Sequence, residues 1–223
     1  MTTLENIDYQ NIALSKQKTK SKSKFLYVYL DKKPLLLKLP KMELAYGLSK
    51  NTFYESKVQY NFDLSFKNND ALVESFEKLD DFIIEKVKEE HYPELSIEEV
   101  KKLYTSCVKY SNPQFPPVLK SKIITQESKI KCDMFYSEPD EEGKLPRINI
   151  EEAGGESFAL ALLPRQKKVE VILECIGLWF MNGKFGLSFK ALQVKVYPIE
   201  KTVNKCEFID SDTSDSEVDF LGE

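Results

Sequence analysis

Residues 168–198 constrain this chain more than any other stretch. Two long apolar runs flank an Asn182-Gly183 step. Asn-Gly between β-rich runs is the strongest short-range signal for a two-residue type I′ hairpin, because both turn positions need φ > 0. The turn sets Met181 opposite Lys184, and further pairs follow by counting outward; directly opposed residues share a face. One face then holds Phe180 with Phe185, Leu178 with Leu187 and Ile176 with Phe189, which reads as core. The other holds Trp179 with Gly186, Gly177 with Ser188, Met181 with Lys184 and Cys175 with Lys190. Trp179 is the only Trp of the chain. A ring among lysines and small residues suits nucleic acid, since bases stack on it and ammonium groups meet phosphates. Burial of Trp179 beneath a loop or helix is the alternative, and the residues leave it open.

Farther from the turn the apolar pairs change sides. Leu173 with Leu192, Val171 with Val194 and Val169 with Val196 lie on the face that is polar near the turn. Strict alternation forbids this in a regular strand with one buried face. A β-bulge or strong coiling near Glu174 is therefore expected, as in the long bent strands of small Greek-key barrels.

The length of 223 residues allows one large domain with insertions or two small ones. No apolar run is long enough to span a membrane and no secretory signal opens the chain, so a soluble protein with no membrane partner is expected. Cys107, Cys132, Cys175 and Cys206 are widely spread, without a C-x-x-C, and His91 is the single histidine. No zinc site and reduced intracellular thiols follow. The eight glycines form no phosphate-binding loop. A lone histidine argues against a Ser-His or Cys-His nucleophile. The acid clusters at 138–142 and 151–152 sit among prolines and glycines and read as solvated loops. The chain is expected to be no enzyme, with no catalytic residue, metal or cofactor.

Charge is unevenly spread. Residues 207–223 carry seven acids and no base, which leaves 32 basic and 29 acidic residues in 1–206. A mildly basic body thus carries an acidic tail, expected to be disordered. Ser214 and Ser216 each have an acid three residues on, the pattern acidophilic kinases favour, and phosphate there would add negative charge. Such a tail can occupy a basic groove, recruit replication proteins, or be a plain terminus. At the other end, Lys16, Lys18, Lys20, Lys22 and Lys24 alternate with polar residues. Residues 1–24 therefore read as a flexible lysine-rich arm that grips phosphates, solubilises the chain or acts as a localisation signal.

Between these ends the β pattern dominates. Residues 25–30 read as one strand with Leu26, Val28 and Leu30 inward and an aromatic face of Phe25, Tyr27 and Tyr29. That face is a stacking platform or the seat of a covering helix. Residues 35–39 form a second strand, and Gly47 marks a bend or close backbone approach. In 58–66, Val58, Tyr60, Phe62, Leu64 and Phe66 alternate with Gln59, Asn61, Asp63 and Ser65, a strand with one wet face. Residues 70–110 break the pattern. Asp70 can cap a helix built on Leu72, Phe76, Leu79, Ile83 and Val87. Ser96 and Glu99 form a capping box for a second helix running through Val108. Strands resume at 118–125, 129–136, 145–150 and 157–163. A basic turn with Arg165, Lys167 and Lys168 then leads into the hairpin, as phosphate contacts or an ordinary solvated turn.

Gly177-Leu-Trp-Phe180, Gly186-Leu-Ser-Phe-Lys190 and Gln193-Val-Lys-Val-Tyr197 resemble the closing element of the single-stranded DNA-binding proteins of large nucleocytoplasmic DNA viruses, the group of African swine fever virus and its relatives. Ala45-Tyr-Gly-Leu-Ser49 and Tyr60-Asn-Phe-Asp-Leu-Ser-Phe66 are similar to an earlier element of that family. The resemblance implies an OB-like barrel that coats single-stranded DNA in viral replication or repair. It maps Trp179, Lys184 and Lys190 to the binding hairpin.

The expectation is a mainly β (α+β) chain. A single OB-like antiparallel barrel over 25–206 carries a helical insertion at 70–110 and a long C-terminal hairpin, between the arm 1–24 and the tail 207–223. The nucleic-acid contacts are Trp179, Lys184, Lys190, Arg165, Lys167, Lys168, Phe25, Tyr27 and Tyr29. The expected place of action is inside the infected cell, in cytoplasm or nucleus, with packaging into the virion left open. The other reading is a non-enzymatic interaction or virion protein whose aromatic faces are buried in protein contacts. Self-association is open in both.

Overall fold

The computed structural model describes residues 3–15, 18–20, 23–51, 58–127 and 129–198. Five strands form the barrel: β1 (Met42–Asn51), β2 (Gln59–Ser65), β3 (Ser121–Gln126), β4 (Lys168–Met181) and β5 (Lys184–Val196). β1 pairs with β2, β2 with β3, β3 with β5, β5 with β4, and β4 returns to β1. Of these five pairings only β3–β5 is parallel. The ring closes in the order β1-β2-β3-β5-β4, a five-stranded Greek-key barrel of OB type. Its interior follows from alternation: on β2, Tyr60, Phe62 and Leu64 are buried while Gln59, Asn61 and Asp63 face outward.

The β4–β5 hairpin turns at Asn182 and Gly183, both at positive φ, so the I′ turn is as expected. The turn-proximal pairs are those counted from it: Trp179 with Gly186, Leu178 with Leu187, Gly177 with Ser188. The change of face is made by two bulges, one at Ile176 on β4 and one at Leu192 on β5. Between them the register slips by one residue. Cys175 then opposes Phe189, Glu174 opposes Lys190 and Leu173 opposes Ala191, in place of the expected Cys175–Lys190, Ile176–Phe189 and Leu173–Leu192 pairs. The slip turns Cys175 into the core, so that Val169, Val171, Leu173, Cys175, Leu178 and Phe180 all point inward along one strand. Burial pushes the Cys175 thiol up to about 12, and burial together with the Asp80 carboxylate raises Cys107 well above its ordinary range. At pH 8 both are almost wholly protonated, and the thiolate is the nucleophile. Iodoacetamide is expected to leave Cys107 and Cys175 unmodified in the native protein and to label both in denaturant; rapid labelling of native Cys175, read by mass spectrometry, would contradict its placement.

Helix α1 (Asp70–His91) plugs one end of the barrel. Phe76, Leu79, Ile83 and Val87 are fully buried, and the Phe76 ring packs on Phe66 and Phe189 at centroid distances of 5.6 and 5.9 Å. Its N-cap is Asn69 rather than Asp70. Helix α2 (Ile97–Leu103) has the expected capping box between Ser96 and Glu99. It stops at Leu103, however, and does not run through Val108. Tyr104–Thr105 pairs with β5 and Val108–Lys109 pairs with Val118–Leu119, so the helical insertion is shorter than 70–110. Residues 157–163, expected as a strand, lie mainly in helix α3 (Gly155–Leu162). That stretch has Ala and Leu but no β-branched residue, and helix propensity prevails.

The arm expected over 1–24 is partly packed. Leu4, Ile7 and Ile12 are buried, Ile12–Leu14 pairs with Val28–Leu30, and Lys18–Lys20 pairs with Ser23–Leu26. The single strand expected over 25–30 is two. Ser23–Leu26 pairs with β4, Val28–Leu30 joins a separate small sheet, and the break is at Tyr27. The Tyr27 N–H donates to Ser15 Oγ at 2.9 Å and its carbonyl accepts from the Ser15 N–H at 2.9 Å. The tail 207–223 with Ser214 and Ser216, Cys206, and Lys16 and Lys22 lie outside the described residues.

Candidate nucleic-acid interface

The outward side chains of β1, β2, β3 and β5 line a groove of about 390 Å³. Its register can be followed strand by strand. Ser49 on β1 opposes Asn61 on β2, Asn61 opposes Lys122 on β3, and Lys122 opposes Lys190 on β5, which opposes Glu174 on β4. Asn51, Gln59 and Asn61 supply carboxamides to the groove, and Asn51 Nδ2 donates to Asn61 Oδ1 at 3.2 Å. One wall is the segment from Thr105 to Lys109. It is held from behind by a buried carboxylate on α1. Asp80 accepts from Tyr104 OH at 2.6 Å, Ser106 Oγ at 2.7 Å and the Cys107 N–H at 2.9 Å.

Three lysines line the groove: Lys109, Lys120 and Lys122. Desolvation lowers Lys109 and Lys122 from their ordinary values. Among the described residues none of the three makes an ion pair. Cations that no carboxylate pairs directly, two of them partly dehydrated, favour an incoming anion such as a phosphate. Asp63 is the one acid of the lining. Desolvation raises it, while Lys120 and a hydrogen bond from the Ser121 backbone pull the other way.

Trp179 lines the same groove and is half-buried. It does not lie beneath α1, which meets the opposite face of the hairpin: His91 and Tyr92, at and just past the helix end, reach Phe180 and Phe185. Trp179 opposes Phe25 on the neighbouring strand, and Phe25, Tyr27 and Tyr29 continue as rings 5.6 and 6.4 Å apart. Two glycines make room for the rings. A Cβ on Gly186 would sit 3.0 Å from Trp179 Cζ2, and one on Gly177 would sit 2.7 Å from Phe25 Cε1 and against the Leu26 carbonyl. Gly177 also has φ +148°, which an L side chain rarely adopts.

The structure thus brings together Trp179, Phe25, Tyr27 and Tyr29, with Lys190 one strand from Lys122. Lys190 is held by Glu174 at 3.1 Å. Lys184 sits at the hairpin tip and donates to the Lys102 carbonyl at 2.6 Å, closing the C-terminal end of α2. Arg165, Lys167 and Lys168 are not brought to the groove. They lie at or just before the start of the 14-residue β4, whose other end carries Trp179. Their turn is tied to β1 by Gln166 N–H to the Leu44 carbonyl at 2.8 Å and Leu44 N–H to the Lys167 carbonyl at 3.0 Å. Gly47 allows that approach, since a Cβ there would lie 2.8 Å from Arg165 N. Sequence reasoning missed Lys109, Lys120, Lys122 and the carboxamides. The available signal was the Lys120-x-Lys122 alternation beside an apolar strand.

No protein-family model and no curated protein matches the chain. Among solved structures, it is similar to the single-stranded DNA-binding protein of bacteriophage Enc34 in complex with single-stranded DNA. That match has 10% identity and a TM-score of 0.49, over 86% of this chain and 98% of that one. It is also similar to another structure of the same phage protein, at 11% identity and a TM-score of 0.46 over 90% and 97%. A third is gp2.5, the single-stranded DNA-binding protein of bacteriophage T7, at 12% identity and a TM-score of 0.38 over 74% and 87%. The fold assignment rests on the ring of strand pairings described above.

Proposed function

We propose that this chain binds single-stranded DNA without strict sequence requirement, as a non-enzymatic protein of viral DNA replication or repair acting inside the infected cell. The observation that carries the reading is the groove over β2, β3 and β5, where three lysines without ion pairs face the half-buried Trp179. That is the combination single-strand binders need: cations along the phosphates and rings on which successive bases stack. In OB-type barrels this outer face and the β4–β5 loop are where oligonucleotides lie. The resemblance of residues 177–180, 186–190 and 193–197 to the proteins of large nucleocytoplasmic DNA viruses supports the same reading.

The bases stack on Trp179 and pass onto Phe25, Tyr27 and Tyr29, while Lys109, Lys120, Lys122 and Lys190 neutralise phosphates. Lys184 contributes charge at the tip, Arg165, Lys167 and Lys168 serve a strand that leaves the groove along β1, and the acidic tail recruits replication proteins. A single Trp makes the test direct. Oligo-dT is expected to quench Trp179 fluorescence, with affinity falling steeply between 50 and 200 mM salt. Fluorescence that oligonucleotides leave unchanged, with no salt-dependent retention in filter binding, would favour an interaction or virion protein whose aromatic face meets another protein.

A further inference from the structure

Asp63 has no purpose in a groove that meets phosphate alone. It is the one carboxylate of the lining, on β2 between the Lys122–Asn61 and Leu119–Leu64 pairings, and it repels a phosphate chain. Among the described residues it makes no direct ion pair, and Lys120 acts on it only through its field, so the carboxylate is not held by a lysine. The Ser121 backbone donates to the carboxylate, and with about two lone pairs on each oxygen a carboxylate can accept further hydrogen bonds. An ionised carboxylate only accepts hydrogen bonds. What it can recognise on a single strand is a base edge that only donates, and in single strands the Watson–Crick edge is free to be read.

Guanine alone presents two adjacent donors there, N1–H and the N2 amine. Cytosine and adenine offer one amine beside an acceptor, and thymine offers one imide N–H between two carbonyls that face a carboxylate unfavourably. We propose that Asp63 reads guanine, accepting from N1–H and N2–H together, and so gives a backbone-driven groove a bias toward guanine at one nucleotide. The inference rests on the groove being the single-strand site. Lys120 and the Ser121 backbone oppose the desolvation that raises the carboxyl.

The test compares oligo-dT with d(TG) and d(TI) repeats of equal length, in lithium salt to keep guanines from pairing with each other, on the full chain and on Asp63→Asn. The full chain is expected to bind d(TG) about tenfold tighter than oligo-dT, the scale of one bidentate base contact. Inosine lacks the N2 amine and falls between. Asp63→Asn is expected to bind oligo-dT more tightly, because a negative charge has left the phosphate path, and to lose the guanine preference. Asp63→Ser is expected to behave alike, and tighter oligo-dT binding shows that either variant is folded. Equal affinity of the full chain for d(TG) and oligo-dT, or a preference that survives both substitutions, overturns the inference and leaves the groove assignment intact. Failure of the full chain to bind any single strand overturns the groove assignment itself.

Discussion

Replacing Lys109, Lys120 and Lys122 together by Ala is expected to reduce single-stranded DNA affinity by about two orders of magnitude at 50 mM salt. The estimate follows from counterion release: each phosphate neutralised on a single strand contributes about 0.7 to the slope of log K against log salt, or about 1 kcal/mol at that concentration. The triple variant should therefore lose about 2 from the slope, and the deficit should shrink as salt rises. The three are partly exposed or exposed and make no ion pair, so the fold should survive, with thermal unfolding as the control. The slope separates this site from others. If Arg165, Lys167 and Lys168 carried the phosphates instead, their removal would lower the slope and the groove variant would leave it unchanged. Lys190 is a weaker contributor because Glu174 already neutralises it at 3.1 Å.

The hairpin was legible because its information is local. Asn182-Gly183 fixes the register near the turn, and alternation separates the Phe180–Phe185 side from the Trp179 side without knowledge of any other strand. The need for a bulge was legible for the same reason. Its position was not: two bulges on opposite strands restore the register at both ends, and only the pairing between them shows the slip at Cys175 and Lys190. The lysines of the groove were harder. Lys120 and Lys122 alternate within one segment, but Lys109 comes from another and meets them because Val108–Lys109 pairs with Val118–Leu119, a tertiary fact with no sequence signature. The basic turn at 165–168 looked adjacent to the site because it is adjacent in sequence, yet one long strand carries the chain the length of the barrel before Trp179. The helix misread at 104–108 has a similar cause. The period of Leu103, Tyr104, Cys107 and Val108 suits a helix, but Asp80, distant in sequence, binds that segment in extended form.

Asp80→Ala is expected to cost about 3–5 kcal/mol of stability, the largest effect of any single substitution outside the hydrophobic core. The carboxylate is 5% exposed and satisfies two hydroxyls and a backbone N–H at 2.6 to 2.9 Å. Removing it strands three part-buried or buried donors, each costing about 1–3 kcal/mol less whatever water recovers. For a domain of this size the melting temperature should fall by about 10 °C. Asp80→Asn keeps an acceptor for one or two donors but turns an amine toward the third, and should lose about half as much. The consequence reaches the groove, since Asp80 holds Thr105, Ser106 and Cys107 in place as its wall and thereby sets Lys109 beside Lys120. Below its melting point the Asn variant should therefore bind oligo-dT more weakly while keeping the full salt slope, because no phosphate contact has been deleted. A melting temperature within about 2 °C of the parent for Asp80→Ala would show that the network does not hold this wall. A reduced slope in Asp80→Asn would show instead that the wall's collapse removes a lysine from the phosphate path.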